Sequence, residues 1–282
     1  MIEILAPAKI NFTLEVLCIR EDGYHEIRSL MEPVSLYDQL SFKLADGLRV
    51  ITRNSKVAER DNLVYRAAKL LQQVSGAKKG AYITLNKIIP DSAGLGGGSS
   101  DAASTLIALN ELWNLGLPIE TLLKMGSSLG SDVPFFISGK PALLEGRGEI
   151  VRPIDAHTST WIVLVCPDVK IPEQKTRTLY EMLGDSNYTD GSYSKKMLNY
   201  ISKEKHLGDD LIFNVFESVA EKAFPELGIY KKNILDAGAK KVHMTGAGPA
   251  LYAVCGAERE GMELAGKISG GGCQVYLVKT LN

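Results

Sequence analysis

A mixed fold of β-strands and α-helices is what this sequence predicts, and three stretches carry the expectation. Tyr82 to Ile89 is an apolar, strand-like run leading into the glycine-rich segment Pro90 to Ala103, and a helical pattern leaves that segment with Ala102, Ala103, Leu106, Leu109 and Trp113 at helical spacing. Ile10, Phe12, Leu14 and Val16 alternate with Asn11, Thr13 and Glu15, the period of a half-buried strand. Towards the other end, Lys241 to Met244, Ala250 to Cys255, residues 257–268 and Cys273 to Val278 read as strand, strand, helix and strand. At 282 residues the chain has ample core for one large domain or two smaller ones.

Composition excludes several classes of function. A formal net charge of −1 provides no basic field for nucleic acid or an anionic membrane. No apolar run reaches the length of a membrane span, and Met1-Ile2-Glu3-Ile4-Leu5 resembles neither a signal nor a transit peptide, so a cytoplasmic chain is expected. The four cysteines, Cys18, Cys166, Cys255 and Cys273, lie far apart among apolar neighbours and read as buried, reduced thiols. The four histidines are scattered, which gives a histidine-based metal site little support.

Taken in order, residues 1–19 suggest two strands broken near Ala6-Pro7-Ala8, with Lys9 and Asn11 sharing one face; a lysine there is ordinarily solvated. Asp22-Gly23-Tyr24-His25-Glu26 is a turn, and strand-like segments follow near 32–44 and 48–53. Asp61 to Val74 reads as a helix capped by Asp61, with Leu63, Ala67, Leu70, Leu71 and Val74 as its buried stripe. Pro118 to Leu129 gives another helix, and Pro134 suits the first turn of a third that Asp132 could cap. Short strands surround Glu145-Gly146-Arg147-Gly148, and Trp161 to Cys166 is an apolar strand. Residues 184–194, rich in Gly, Ser, Asn, Asp and Tyr, suggest an exposed loop. Helical patterns fill much of 195–237, with Lys195-Lys196 and Lys203 to Lys205 on a wet face. Thr245-Gly246-Ala247-Gly248-Pro249 joins two of the late strands as a glycine hairpin.

The chemistry centres on Pro90-Asp91-Ser92-Ala93-Gly94-Leu95-Gly96-Gly97-Gly98-Ser99-Ser100. Glycines lack Cβ, so such a backbone curls and brings its N–H groups close to a ligand, and the helix start adds unpaired donors and a positive dipole end. Polyphosphate suits that cradle best. The run has no Walker lysine, and Ser99 stands where a dinucleotide fingerprint needs its third glycine. Ser99, Ser100 and Asp101 also have the chemistry of helix caps.

Four motifs appear in a fixed order: Pro7-Ala8-Lys9-Ile10-Asn11, Gly94 to Ser100, Asp132-Val133-Pro134-Phe135-Phe136, and Thr245 to Pro249. Together they resemble the GHMP kinases, over nearly the whole chain. Asp22-Gly23-Tyr24-His25 and Gly130 to Phe136 are similar to the branch that phosphorylates 4-diphosphocytidyl-2-C-methyl-D-erythritol with ATP on the non-mevalonate route to isoprenoid precursors. The resemblance implies an α+β fold of two lobes. One, over 1–155, is like the second domain of ribosomal protein S5 and carries the ATP phosphate loop; the other, over 156–282, is related to ferredoxin-like folds.

It also implies roles. Asp132 matches the catalytic aspartate and Lys9 the catalytic lysine, which would keep Asp132 ionised and stabilise charge on the transferring group. Pro90 to Ser100 match the ATP phosphate loop, with Ser99 and Ser100 nearest Mg²⁺, and Lys87 and Asn62 match positions near the adenosine. Tyr24 offers a ring to the cytosine, His25 offers polar contacts to its edge, and Asn11 would reach the erythritol hydroxyls. Tyr180 matches a second stacking aromatic, and Gly246, Ala247 and Gly248 match a loop beside the active site. Gln174-Lys175-Thr176 departs from the more familiar Val-Ser-Thr, and Ser92 stands where an apolar residue or glycine is more usual. A small-molecule substrate, with the chain as a monomer or weak homodimer, completes the expectation.

Overall fold

The structure, a computed structural model, describes residues 1–54, 58–155, 159–204, 206–268 and 270–281. It contains two compact units. The first gathers Met1–Ala8, Leu36–Asp91 and Gly96–Gly139, and the second gathers Lys9–Ser35, Ser92–Leu95 and the chain from Lys140 onward. Two long strands, β1 (Ile2–Ile19) and β2 (His25–Ala45), contribute residues to both.

β1 runs through Ala6-Pro7-Ala8 without the expected break. Proline's fixed φ is compatible with extended backbone, and its missing donor removes only one ladder position. The alternation over 9–16 is real, but both faces are buried: Ile10, Phe12, Leu14 and Val16 on one side, Lys9, Asn11, Thr13 and Glu15 on the other. Lys9 is therefore not the solvated lysine its position suggests.

In the first unit, β3 (Leu48–Arg53), α1 (Leu63–Ser75) and β4 (Gly80–Asn86) follow β2. β4 lies parallel to β3 and antiparallel to the last part of β2, with Gln39 opposite Asn86 and Ala45 opposite Gly80. The cap of α1 is Asn62, whose side chain accepts from the Val64 N–H, while Asp61 ends a short 3-10 turn. The buried stripe is Val64, Ala67, Ala68 and Leu71, and Val74 is exposed, so the inward face is turned from the expected one. α2 (Gly97–Leu112) buries the predicted Ala102, Ala103, Leu106 and Leu109, and Trp113 just beyond it donates to the Gly80 carbonyl at 3.2 Å. α3 (Ile119–Leu129) and α4 (Val133–Ser138) complete the unit, with Phe135 in its core.

The second unit adds β5 (Ala142–Glu145), β6 (Ile150–Pro153), β7 (Trp161–Pro167), α5 (Lys175–Glu181), α6 (Ser192–Glu204), β8 (Phe213–Asn214), α7 (Ala220–Ala223), α8 (Leu227–Asp236), β9 (His243–Met244), β10 (Leu251–Cys255), α9 (Glu258–Ile268) and β11 (Cys273–Lys279). β11, β7, β10 and β9 form an antiparallel sheet in that order. β5 pairs with Ser29–Met31 of β2, and β8 lies parallel to Thr13 and Leu14 of β1. Its core joins Leu14 and Val16 to Val163, Val165, Leu179, Phe216, Phe224 and Leu251.

Two expectations fail here. Cys18 is exposed and Cys273 half-buried, though all four thiols are free as expected. Residues 184–194 are not simply an exposed loop: Ser192 already begins α6, and Ser194 is fully buried. The cause is Glu15, whose buried carboxylate accepts from the N–H and hydroxyl of Ser194 at 2.8 and 2.6 Å and from the Thr189 hydroxyl at 2.9 Å. An anion at the start of α6 satisfies donors that no helical turn reaches. Lys195 and Lys196 are exposed, as expected; Lys205 lies outside the described residues.

Candidate active site

In the second unit, Lys9 and Asn11 sit on the buried polar face of β1, where two loops meet. The Lys9 ammonium donates to Asn11 Oδ1 at 2.6 Å. Asn11 is fixed on every side: its Nδ2 donates to Ser29 Oγ at 2.7 Å, its N–H to Thr245 Oγ1 at 3.0 Å, and its carbonyl accepts from the Tyr252 hydroxyl at 2.9 Å. Such a network orients the amide and leaves little rotameric freedom. Over it lie Ser92–Leu95 and the 245–249 hairpin, tied by the Ala250 N–H to the Ala93 carbonyl at 3.1 Å and by the Lys9 N–H to the Leu95 carbonyl at 2.9 Å.

Two glycines are required by this approach. A methyl on Gly94, at φ +90°, would fall 2.5 Å from the Thr245 carbonyl oxygen. One on Gly246, at φ +54°, would fall 3.0 Å from both the Lys9 ammonium and the Gly94 carbonyl oxygen. The bare Cα atoms let the loops touch each other and the ammonium. Lys175, at the start of α5, donates to the Ser92 carbonyl at 2.7 Å and to the Gly248 carbonyl. Burial, with the Lys9 charge adding to it, pushes its ammonium down to about 8.

The first unit contributes the helix end of the glycine run. Gly96, at φ +72°, stands at the N-cap of α2 and Ser100 donates its N–H to the Gly96 carbonyl. Ser99, Ser100 and Asp101 thus lie inside the helix and do not cap it. Ser100 is completely buried, and its hydroxyl oxygen has no hydrogen-bond partner among the described residues. Asp132 occupies the N-cap position of α4, but its side chain makes no capping bond.

Lys87 and Asn62 are occupied within this unit. Lys87 pairs with Asp38 and, at 2.9 Å, with Asp101, and Asp38 also accepts from the Ile89 N–H at 2.9 Å. Burial works against the Lys87 charge, yet Asp101 and Asp38 outweigh it and raise the ammonium. Burial pushes Asp101 up to about 7. Asn62 Nδ2 donates to Thr52 Oγ1 at 3.0 Å, so both ends of its amide are engaged.

At the β1–β2 turn, Tyr24 is 57% exposed, with the Arg147 guanidinium 4.7 Å from its ring centre. His25 stacks on Tyr180, ring centres 4.6 Å apart, and burial lowers its pKa. Tyr180 meets Phe216 edge-on at 4.9 Å.

Residues 62–140 match the GHMP kinases N terminal domain, and residues 199–267 match the GHMP kinases C terminal family. A 4-diphosphocytidyl-2-C-methyl-D-erythritol kinase from Dehalococcoides mccartyi is 40% identical over 281 residues, covering 100% of this chain and 99% of that one. One from Thermodesulfovibrio yellowstonii is 39% identical, covering 100% and 98%. The crystal structure of a 4-(cytidine 5'-diphospho)-2C-methyl-D-erythritol kinase superposes with a TM-score of 0.86 at 31% identity, covering 100% of both chains. The chain belongs to this family of GHMP kinases. Its fold is the GHMP kinase fold, shared with the homoserine kinase from Cytophaga hutchinsonii at a TM-score of 0.73 and 19% identity, covering 100% of this chain and 95% of that one.

Within the family's motifs, Lys9, Asn11, Gly94 and Gly246 lie together, while Tyr180 stacks on His25 rather than facing Tyr24, the ring expected to share the cytosine with it. Sequence reasoning passed over Thr245 as a ligand of Asn11, the pairing of Lys87 with Asp38 and Asp101, and above all Lys175. Its signal was present: Gln174-Lys175-Thr176 departs from the familiar pattern.

Proposed function

We propose that the chain transfers the terminal phosphoryl group of ATP to the 2-hydroxyl of 4-diphosphocytidyl-2-C-methyl-D-erythritol, a step towards isoprenoid precursors. The full-length similarity to kinases of that name carries the reading. The convergence of Lys9, Asn11, Gly94 and Gly246 supports it. In the transfer, the alcohol oxygen attacks phosphorus, the bond from phosphorus to the ADP oxygen breaks, and the hydroxyl proton passes to a base.

Asp132 is that base in this reading, a carboxylate at the position of the family's catalytic aspartate. Lys9 stabilises the charge of the phosphoryl oxygens. The glycine run from Pro90 to Ser100 cradles the phosphates with its N–H groups. Mg²⁺, when bound, would neutralise phosphate charge; no group of three acidic, His or Cys side chains suited to a metal occurs among the described residues, so phosphate oxygens and water would hold most of it. The unpartnered Ser100 hydroxyl fits a contact there, with Ser99 beside it. In this reading Tyr24 offers its exposed ring to the cytosine, His25 and the Tyr180 stacked on it lie at the same end, and Lys87 and Asn62, already engaged by their own partners, back the adenosine side. The lobes over 1–155 and 156–282, a cytoplasmic location and a monomer or weak homodimer belong to the same reading. No helix among the described residues is long and apolar enough to cross a membrane.

A coupled assay of ADP release with the cytidylyl alcohol, with and without Mg²⁺, tests it. Turnover should require all three components, and cytidine diphosphate should compete with the alcohol. Absence of competition would favour a different GHMP acceptor. Asp132→Ala should lose nearly all turnover while still folding and binding ATP, and unchanged turnover would remove Asp132 from its role.

A further inference from the structure

Lys175 carries chemistry that the reading above does not use. It stands at the start of α5, and its ammonium donates to two backbone carbonyls, Ser92 in the phosphate loop and Gly248 in the 245–249 hairpin. Those loops already approach so closely at Gly94 that a single methyl would not fit between them. The residues flanking the contact hold demanding backbone: Ser92 at φ +57° and Gly248 at φ +59°. An ammonium bridging both carbonyls fixes their separation. Both acceptors are neutral, and among the described residues Lys175 forms no ion pair. Its charge is therefore not cancelled locally. Lys9 is the charged neighbour that it feels, and it has the same sign.

We propose that Lys175 is a positioning residue for the phosphates of the nucleotide: it locks the Ser92–Leu95 loop to the 245–249 hairpin through its two carbonyl contacts. The proposal rests on the phosphotransfer reading for its ligand, but not on the identity of the acceptor alcohol.

The test uses the full chain with K175M, which keeps the aliphatic stem, and K175R, which keeps charge and donors. Loss of charge-assisted hydrogen bonds should weaken ATP binding about tenfold or more in K175M. ATP affinity is measured directly by titration calorimetry with MgATP, and steady-state kinetics give both Michaelis constants. The KM for ATP should rise by about the same factor while the KM for the cytidylyl alcohol stays within about twofold, and K175R should recover part of the loss. Unchanged ATP affinity in K175M would overturn the proposal. So would equal loss for both substrates, or an arginine no better than methionine, since either marks general structural damage. If wild-type protein binds ATP but does not phosphorylate this alcohol, the acceptor assignment fails, while the calorimetric comparison still decides the role of Lys175.

Discussion

Lys87 and Lys175 are both drawn away from water, and their surroundings are of opposite kinds. Lys87 is closed off by two carboxylates, Asp38 and Asp101, and its charge is raised and fully spent. Lys175 is held by two carbonyl dipoles with another lysine nearby, and its charge is depressed and unspent. The first arrangement is complete without a ligand; Asp38 also binds the N–H of Ile89, fixing the strand that leads to the glycine run. The second joins two backbone loops and includes no carboxylate among the described residues. The contrast separates a lysine closed into a buried group of carboxylates from one that ties two loops together through their carbonyls.

The largest effects should divide along that line. Lys87→Met leaves Asp38 and Asp101 buried without their cation and should lower unfolding free energy by about 3–5 kcal/mol. Lys9→Met should instead cut turnover by about 10²–10³-fold, with a stability loss of about 1 kcal/mol from its bond to Asn11. Urea unfolding and steady-state kinetics on both variants read the two axes; similar losses on both would erase the distinction. Next in size is Gly94→Ala. Its methyl would fall 2.5 Å from the Thr245 carbonyl oxygen at a φ of +90°, so the loop must shift. ATP affinity should drop about tenfold by calorimetry, given a strain of roughly 1–3 kcal/mol.

The smallest effect concerns pH. Asp101 has its carboxyl pushed up to about 7 by burial, above the unfolded value of 3.8. Between those values the folded chain binds more protons than the unfolded one, so this group's contribution to stability falls as pH rises through that window. Asp101→Asn should flatten that slope while retaining Lys87 paired with Asp38. Urea midpoints measured from pH 5 to 8 check it, and an unchanged slope would mean that Asp101 is ionised throughout.

What the sequence determined by itself was local: the glycine run between a strand and a helix, the apolar residues of α2 from Ala102 to Leu109, the turn carrying Tyr24 and His25, and the motif order that gives the family. The first three follow from periodicity or turn chemistry, properties carried by neighbouring residues, and the last is a resemblance carried by the motifs themselves. The polar side of β1 was legible as alternation and misread as wet. Only tertiary structure supplied the distant partners, Ser29, Thr245 and Ser194, that let Asn11, Thr13 and Glu15 be buried. The same holds for Asn62 replacing Asp61 as a cap and for the rotated stripe of α1. Lys175 shows the limit most plainly: the sequence marks a departure at 174–176 but not what the lysine binds, because its acceptors lie 83 and 73 residues away in the chain. Hydrogen-bond partners chosen across such separations are set by how the backbone closes on itself, and that is decided in three dimensions.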